Sequence, residues 1–561
     1  MPNPGTPAWM SRRGQSRART ARAGLALLGI ACVALLALLV RGEPSHAASS
    51  KPNIIMFTTD DQTVRDLVAM PKTQALIGAQ GANFLHAYVS MSLCCPSRIT
   101  VQTGEYAHNH HVMGNTPPQG GYSVFNDKND LPVWLQQAGY RTIHIGKMPN
   151  GFGTETNETY VPPGWGPFNG GSGRGEFYAF IKPASSYTDF ALDENGVLKQ
   201  YTPEDYQTTV YGDLAVDRID QHFTNHANDP LYMQVQFFAP HDPATPETKY
   251  QNAFATTPLP IDPSFNEKNV KDKPGWIRKV SRFGPGLIAK IQTRYQHRLE
   301  TLLSVDDQIE RIVNELSAKG ELANTYLIFT SDNGFMQGQH RLHQGKFAPY
   351  ESSIQVPLLM RGPGIPPGSQ PRALVWNGDI TATILKIASA QPGLPQDGRS
   401  LLPFASDPNL TSFRPILIET GPPGATNEPG TPVSAASERV HFSKYVKNLD
   451  QDHTAQIARA IVAPRYRAIR TGRYLLVKYS DGSRELYDLK RDPLELKSKY
   501  KDSRYFPVRK YLLKKLKGLV LCQGADCSRD VKKPPKPLAK KKKHPKKKPA
   551  PTAPAPPTPI G

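Results

Sequence analysis

Short apolar runs that end in polar or charged residues recur along the first two thirds of the chain. Four of them are residues 53–59 with Asp60 and Asp61 behind them, residues 141–145 with Gly146 and Lys147, residues 231–238 with His241 close by, and residues 326–330 with Asp332 and Asn333. Runs of this length, bounded by polar and turn-forming residues, are typical of buried β-strands. The pattern therefore predicts strands that carry polar side chains at their carboxyl ends.

Between these runs the apolar spacing changes to that of a helix, most clearly over residues 298–319. The apolar stripe of this segment consists of Leu299, Leu302, Leu303, Val305, Ile309, Ile312, Val313 and Leu316. Gly320 is suited to end the helix, because glycine readily adopts the left-handed conformation of a C-cap. Strands that alternate with helices predict an α/β fold around a large, mostly parallel sheet with helices on both faces.

The pattern changes near the C-terminus, where short alternating runs cover residues 467–470, 474–479 and 485–489. Residues 480–483 (SDGS) form a turn between the last two runs, so this region predicts an antiparallel hairpin. We expect an α/β domain over residues 51–414 and a smaller antiparallel subdomain over residues 415–529. Residues 420–438 are rich in Gly, Pro, Thr and Ser and predict an irregular entry loop.

Composition excludes a small disulfide-stapled module and global disorder, since the chain has 561 residues, of which 38% are hydrophobic. The net charge of +20 is concentrated at the two ends, which leaves only +6 on the residues between them. Residues 1–50 carry six Arg against one Glu, and residues 530–561 carry ten Lys against one Asp. A nucleic-acid groove needs clustered positive charge in the folded body, so we expect no specific nucleic-acid partner.

Each charged end predicts a role of its own. Residues 1–47 combine an Arg-rich start, an apolar run over residues 23–40 and small residues before Ala48, which is typical of a signal peptide cleaved after Ala47. The alternative is an uncleaved membrane anchor, and both interpretations predict an exported protein, either secreted or held at the cell surface. Residues 530–561 consist mainly of Lys, Pro and Ala and predict a disordered, solvated tail. Its alternative role is attachment to an anionic surface.

The five cysteines do not form a disulfide framework. Cys32 lies in the leader, and Cys94 and Cys95 are adjacent. Cys522 and Cys527 are five residues apart, and an exported chain would permit a local bridge between them.

The polar residues after two of the predicted strands point to a metal site. If these strands lie parallel, Asp60, Asp61, Asp332 and Asn333 meet at one edge of the sheet. Carboxylate and amide oxygens are hard ligands that favour calcium or magnesium over zinc.

The segment Cys94-Cys95-Pro96-Ser97-Arg98, with Thr103-Gly104 after it, resembles the signature of the type I sulfatases. Other blocks of that family have counterparts in the same order along residues 51–500: Asp60-Asp61, Gly139-Tyr140-Arg141-Thr142 with Gly146-Lys147, Ser331-Asp332-Asn333-Gly334, Gly345-Lys346, and Glu485 to Leu489 with Asp492-Pro493. The cysteine doublet and His108-Asn109-His110-His111 are most similar to the branch of N-acetylglucosamine-6-sulfatases and heparan sulfatases.

The resemblance implies an alkaline-phosphatase-like sandwich and a sulfatase site. It implies that a formylglycine-generating enzyme oxidises Cys94 to formylglycine, whose hydrate attacks sulfur and later releases sulfate. It assigns one calcium ion to Asp60, Asp61, Cys94, Asp332 and Asn333. In the same way, it implies that Arg98 and Lys147 hold the formylglycine hydrate and the sulfate, and that His241 and Lys346 serve the leaving oxygen.

One position departs from the family pattern. Many sulfatases have a histidine two residues after the lysine that corresponds to Lys147, whereas this chain has Pro149. Asn150 could contact the hydrate but cannot act as a base. The base that assists sulfate release is therefore open, and His108, His110 and His111 cannot be ranked from the sequence.

The sequence thus predicts a sulfuric ester hydrolase that acts on sulfated carbohydrate such as N-acetylglucosamine 6-sulfate or glycosaminoglycan. One alternative is a phosphonate or phosphate monoester hydrolase on the same scaffold. The other is a non-catalytic protein that binds polyanions with an unmodified Cys94.

Overall fold

A computed structural model of the chain describes residues 51–166, 174–182, 186–421 and 463–539. The predicted leader, most of the predicted entry loop after residue 421, and the tail from residue 540 lie outside the described residues. Within the described part of the chain, no helix combines the length and the apolar character needed to cross a membrane.

Fifteen strands form within the described residues. They are β1 (Asn53–Thr59), β2 (Ala82–Asn83), β3 (Ala87–Tyr88), β4 (Arg141–Gly146), β5 (Gly175–Lys182), β6 (Ala191–Glu194), β7 (Val197–Gln200), β8 (Leu231–Gln236), β9 (Thr325–Ser331), β10 (Leu358–Arg361), β11 (Val375–Trp376), β12 (Ile416–Glu419), β13 (Tyr466–Arg470), β14 (Tyr474–Tyr479) and β15 (Arg484–Asp488).

The main sheet has nine strands in the order β2-β10-β9-β1-β8-β4-β5-β6-β7. Its five central strands, β9, β1, β8, β4 and β5, are parallel, and antiparallel strands flank them on both sides. The register places Thr59 beside Ser331, and Gly146 beside Gln236. The polar residues that follow these strands consequently lie at the same edge, as the sequence pattern predicts.

Helices cover both faces of this sheet. The helices of the described residues are α1 (Pro71–Thr73), α2 (Cys94–Thr103), α3 (Ala107–His110), α4 (Leu131–Gln137), α5 (Gln207–Asn225), α6 (Gly275–Arg278), α7 (Pro285–Ala318), α8 (Glu351–Ile354), α9 (Gly378–Ala388), α10 (Leu402–Ser406) and α11 (Phe506–Leu519). Ile55 and Phe57 of β1 pack in one core with α5 and α7, whereas Ile54 and Met56 pack in the other core with α4 and α9. Because both faces of this central strand are buried, its sequence is a continuous apolar run.

Helix α7 begins thirteen residues before the predicted start at residue 298. The sequence pattern does not predict the first part of this helix, because its apolar stripe is narrow there and Leu287 and Ile288 are only partly buried. Pro285 lies in the first turn of the helix, where the missing backbone N–H of proline costs no hydrogen bond within the helix. The predicted end is confirmed, since Gly320 has a φ of +74° just beyond the helix.

The predicted antiparallel region near the C-terminus is confirmed. Strands β12, β13, β14 and β15 form a four-stranded antiparallel sheet in that order. Helix α11 packs its apolar residues with this sheet, and the predicted bridge between Cys522 and Cys527 is present just after the helix. The domain boundaries themselves stay a prediction.

The described beginning of the predicted tail, residues 530–539, contacts this C-terminal region. The backbone N–H of Leu538 donates to the carbonyl of Arg504 at 2.9 Å. Asp530 accepts hydrogen bonds from Ser412 at 2.8 Å and from the backbone of Phe413 at 2.9 Å.

Candidate active site

Cys94 is the first residue of helix α2 and lies at the centre of a buried polar cluster. Its Sγ is 3.3 Å from Oδ1 of Asp60 and 2.8 Å from Nζ of Lys346. The adjacent Cys95 points elsewhere, because its Sγ is 3.8 Å from the carbonyl of Asn150 and it packs in an apolar cluster with Ile99 and Val112. The two neighbouring cysteines therefore lie in different environments, Cys94 in the polar cluster and Cys95 in an apolar one.

Three carboxylates surround Cys94 at the carboxyl edge of the sheet. One oxygen each of Asp60, Asp61 and Asp332, together with Sγ of Cys94, lie within 4.8 Å of one another. Asp60 and Asp61 follow β1, while Asp332 follows the neighbouring β9, and all three are buried. The predicted convergence of these residues is thus present in the structure.

Two unpartnered oxygens show that this cluster suits a cation. Oδ2 of Asp61 and Oδ1 of Asn333 are buried and have no hydrogen-bond partner within the described residues. The amide of Asn333 donates to Oδ1 of Asp61 at 2.5 Å and to the carbonyl of Gly334 at 2.9 Å, which leaves its oxygen open. Buried oxygens without partners are costly, and oxygen donors of this kind are the ligands of calcium.

Three cationic side chains reach the same cluster from separate elements. Arg98, one turn along α2, donates to Asp332 at 2.9 Å and to Asp60 at 3.3 Å. Lys147, directly after β4, forms an ion pair with Asp60. Lys346 contacts Asp61 at 2.5 Å. This concentration of positive charge suits the binding of an anionic group.

The charges of the cluster shift the pKa values of its carboxyls in opposite directions. Burial raises the pKa of Asp60, but the positive charges of Lys147, His241 and Arg98 outweigh it, so the pKa is below its usual range. Burial and the charge of Asp60 raise the pKa of Asp332 despite its bond with Arg98. Burial, reinforced by Asp60, also raises the pKa of the Cys94 thiol.

His241 is oriented by a hydrogen bond to its own loop. Its Nδ1 lies 2.7 Å from the carbonyl of Asp242, and a carbonyl only accepts, so Nδ1 carries a proton. Nε2 is 3.8 Å from Oδ2 of Asp61 and faces the cluster. His241 is slightly exposed, unlike the fully buried carboxylates.

The structure adds a glutamine relay that the sequence analysis missed. Arg98 donates to Oε1 of Gln236 at 2.9 Å. Nε2 of Gln236 donates to Oε1 of Gln234 at 3.1 Å, and Gln102 donates to the same oxygen at 3.1 Å. The side-chain oxygen of Gln234 accepts both bonds. Gln236 therefore directs its amide nitrogen toward Gln234 and its amide oxygen toward Arg98. The signal was available, since residues 234 and 236 are polar on one face of an otherwise apolar strand.

Arg298 is a second residue whose role was missed. It is fully buried and donates to the carbonyl of Asp61 at 2.6 Å, to the carbonyl of Pro240 at 3.0 Å and to Asp66 at 3.1 Å. It thereby ties the loop after β1 to the loop that carries His241. A positive charge on the apolar stripe of α7 was the signal for this role.

The histidines considered for the release step have other partners. His108 contacts Glu419 at 2.9 Å and the carbonyl of Cys522 at 3.0 Å. His110 packs beside helix α2, 3.1 Å from the hydroxyl of Thr100, and burial lowers its pKa to about 3. His111 caps α3 with a φ of +63°. Pro149 lines a small buried cavity together with Arg98 and Lys147, where many sulfatases have a histidine.

Comparison with known proteins agrees with this geometry. The family model described as Sulfatase matches residues 52–390, which is more than half of the chain. The chain belongs to the sulfatase family. A second model, described as N-sulphoglucosamine sulphohydrolase, C-terminal, matches residues 451–521.

Two sulfatases illustrate the branch. Human N-acetylglucosamine-6-sulfatase is 35% identical over 66% of this chain and 68% of its own length. A Caenorhabditis elegans homologue of the extracellular sulfatase Sulf-1 is 34% identical over 69% of this chain, but the match spans only 55% of that relative. These similarities confirm the predicted resemblance to the branch of N-acetylglucosamine-6-sulfatases and extracellular sulfatases.

A solved structure supports the fold independently. A protein in complex with its substrate D-glucosamine-2-N,6-O-disulfate superimposes with a TM-score of 0.64 and covers 83% of this chain and 97% of its own length. At 22% sequence identity, this likeness concerns the fold alone. The predicted α/β architecture with a C-terminal antiparallel sheet is thereby confirmed.

Proposed function

We propose that this sulfatase-family protein hydrolyses sulfate monoesters on sulfated carbohydrate, with glucosamine 6-sulfate units as the preferred substrate class. The observation that carries this proposal is the position of Cys94, between the carboxylate of Asp60 and the ammonium group of Lys346. Arg98 and Lys147 lie in the same cluster and complement the charge of a sulfate group. The proposed substrate class is supported by the similarity of this chain to N-acetylglucosamine-6-sulfatase.

The residues of the cluster fit the metal and the modification that the family implies. Asp60, Asp61, Asp332 and Asn333 would hold calcium with their side-chain oxygens, together with the group at Cys94. Calcium would supply charge stabilisation for sulfate oxygens, and the formylglycine made from Cys94 would supply a hydroxyl nucleophile that can later release sulfate. A maturation enzyme that converts Cys94 is a required partner of this proposal.

The remaining side chains divide the work of charge neutralisation and proton transfer. Arg98 and Lys147 neutralise the negative charge on the sulfate and orient it. His241, whose Nδ1 donates to the carbonyl of Asp242, directs Nε2 toward the cluster. When Nε2 also carries a proton, His241 donates that proton to the leaving alcohol oxygen and becomes the neutral imidazole. Lys346 stabilises the same oxygen with its positive charge.

Mass spectrometry of the peptide that contains Cys94, from protein purified from its native host, is the first test. Conversion of the thiol to the aldehyde lowers the mass by about 18 Da. Hydrolysis of N-acetylglucosamine 6-sulfate, an aryl sulfate and a phosphonate monoester is then compared with the same preparation. Cys94→Ala should remove turnover, whereas Cys95→Ala is the matched control and should retain it.

The outcomes separate the competing functions. Faster turnover of the phosphonate ester would favour a phosphonate or phosphate monoester hydrolase on the same scaffold. An unmodified Cys94 that stays inactive after co-expression with a formylglycine-generating enzyme would favour a non-catalytic polyanion-binding protein. Export through residues 1–47 and attachment through the basic tail remain predictions, which are tested by locating the protein in cell fractions.

A further inference from the structure

Helix α11 presents a row of lysines to solvent. Lys510, Lys514 and Lys517 are exposed and are spaced so that they lie on one side of the helix. The apolar residues of the helix face the other way and pack against the four-stranded sheet; they are Val508, Leu512, Leu516 and Leu519. The apolar side is therefore occupied, and the side that remains open is cationic.

The sequence around these lysines carries no acidic residue. Residues 503–525 contain no Asp or Glu. Among the described residues, none of these lysines forms an ion pair with a carboxylate. Like charges three and four residues apart repel one another, so the spacing of these lysines destabilises the helix, although Lys517 lies in the last turn, where a positive charge is favourable. A bound anion would remove the repulsion.

The chain that follows the disulfide adds more lysines beside the helix. The hydroxyl of Tyr511 donates to the carbonyl of Lys532, and the backbone of Leu538 donates to Arg504. Residues 532–538 thus run back from the middle of α11 toward its beginning and bring further exposed lysines. We call the six lysines the C-terminal basic face: Lys510, Lys514, Lys517, Lys532, Lys533 and Lys536.

We propose that the C-terminal basic face is a docking site for a sulfated polysaccharide chain, separate from the cluster around Cys94. The helix has 14 residues and is therefore about 21 Å long, so the face offers charge along a line rather than at a point. A linear polyanion matches this distribution. An inserted membrane helix would need a free apolar side, which α11 lacks because that side is buried.

This inference rests on the proposed function, because a docking site of this kind would hold a polymeric substrate near the enzyme. The segment that follows helix α11 is hydrogen-bonded to α3, the helix that comes after the helix of Cys94. The carbonyl of Cys522 accepts hydrogen bonds from His108 and from Asn109, each at 3.0 Å, and both residues belong to α3. The face is consequently held by the same framework as the active site.

The test measures binding of fluorescent heparin oligosaccharides to the full-length protein by anisotropy, over a range of salt concentrations. The variant is K510Q/K514Q/K517Q, and the matched control is K268Q/K271Q/K290Q, which removes three exposed lysines elsewhere. We expect the first variant to lose affinity by at least about tenfold at low salt and to reduce the salt slope by about three. The control should bind like the wild type.

Turnover provides the second measurement. Both variants should hydrolyse a small sulfate ester as the wild type does, whereas the first variant should show a raised KM on a sulfated polymer only. Equal heparin affinity of variant and wild type overturns the proposal, and so does stronger binding to DNA of similar charge or to anionic vesicles. If the wild type cleaves no sulfate ester, the proposed function fails, while the heparin measurement still decides this proposal.

Discussion

Arg98 and Gln236 are joined by a buried hydrogen bond of 2.9 Å, at the boundary between the charged cluster and the interior of the sheet. The guanidinium of Arg98 also contacts Asp60 and Asp332, so its position decides how the two carboxylates are held. Gln236 in turn is oriented by Gln234. The strand thus determines the position of Arg98 through an uncharged relay.

Replacing Gln236 should impair catalysis more than folding. In Gln236→Leu the buried guanidinium loses an acceptor, and a hydrogen bond to a charged group is worth about 1.5–3 kcal/mol. We expect kcat/KM on a sulfate ester to fall by about 10- to 100-fold. Steady-state kinetics and urea unfolding of the same preparation measure the two effects.

Gln136→Leu is the matched control for this prediction. Gln136 is also buried, but its amide donates to Thr142 and to the carbonyl of Gly166, both at 3.0 Å. The control should lower the free energy of unfolding by about 1–3 kcal/mol without changing kcat. Similar kinetic losses in both variants would show that Gln236 acts through stability alone.

Arg298 should be essential for holding the two loops of the active site together. Arg298→Leu leaves Asp66 and two carbonyls without their buried partner, and breaking a buried ion pair costs about 3–5 kcal/mol. Chemical unfolding should show a loss of this size. Arg311→Leu on the same helix removes an exposed pair with Asp213 and should cost no more than about 1 kcal/mol. Comparable losses would contradict the role assigned to Arg298.

The convergence of the charged residues was predictable because it follows from strand register. Once β1, β4, β8 and β9 are parallel, the residues after them meet at one edge, whatever the loops do. Only the family resemblance predicts that helix α2 and Lys346 belong to this site, because no pattern of apolar residues in the sequence indicates that they lie at this edge of the sheet. Gln236 and Arg298 were missed because each is a polar residue in an otherwise apolar element, and only the structure shows which polar group it faces.

Calcium should stabilise the protein, and its removal should destabilise it. Without a cation the carboxylates of Asp60, Asp61 and Asp332 lie within reach of one another, and two oxygens lack partners. A ligand at 100 times its Kd stabilises the folded state by about 2.7 kcal/mol. Thermal unfolding should therefore show a higher Tm with calcium than with a chelator.

Asn333→Leu tests whether this stabilisation arises at the proposed site. The substitution removes the unpartnered oxygen of Asn333, so the increase in Tm with calcium should shrink. Magnesium should raise the Tm less than calcium, because it demands stricter geometry and gives up its water reluctantly. An undiminished response of the variant to calcium would place the ion elsewhere.

The His108–Glu419 pair should make stability depend on pH outside the active site. Burial lowers the pKa of His108, but the bond to Glu419 outweighs this effect and raises the pKa above its ordinary value. The pair therefore stabilises the folded state fully below the pKa of an unfolded histidine, about 6.5, and this contribution is lost as the pH rises through the higher folded pKa. His108→Gln should lower the free energy of unfolding by about 1.5–3 kcal/mol at pH 5.5 and by less above neutrality. Urea unfolding at several pH values measures the difference.

Glu419→Gln should remove the same pH dependence, because it removes the charge that faces His108. An effect of His108→Gln that stays constant with pH would show that packing, rather than charge, accounts for the loss of stability.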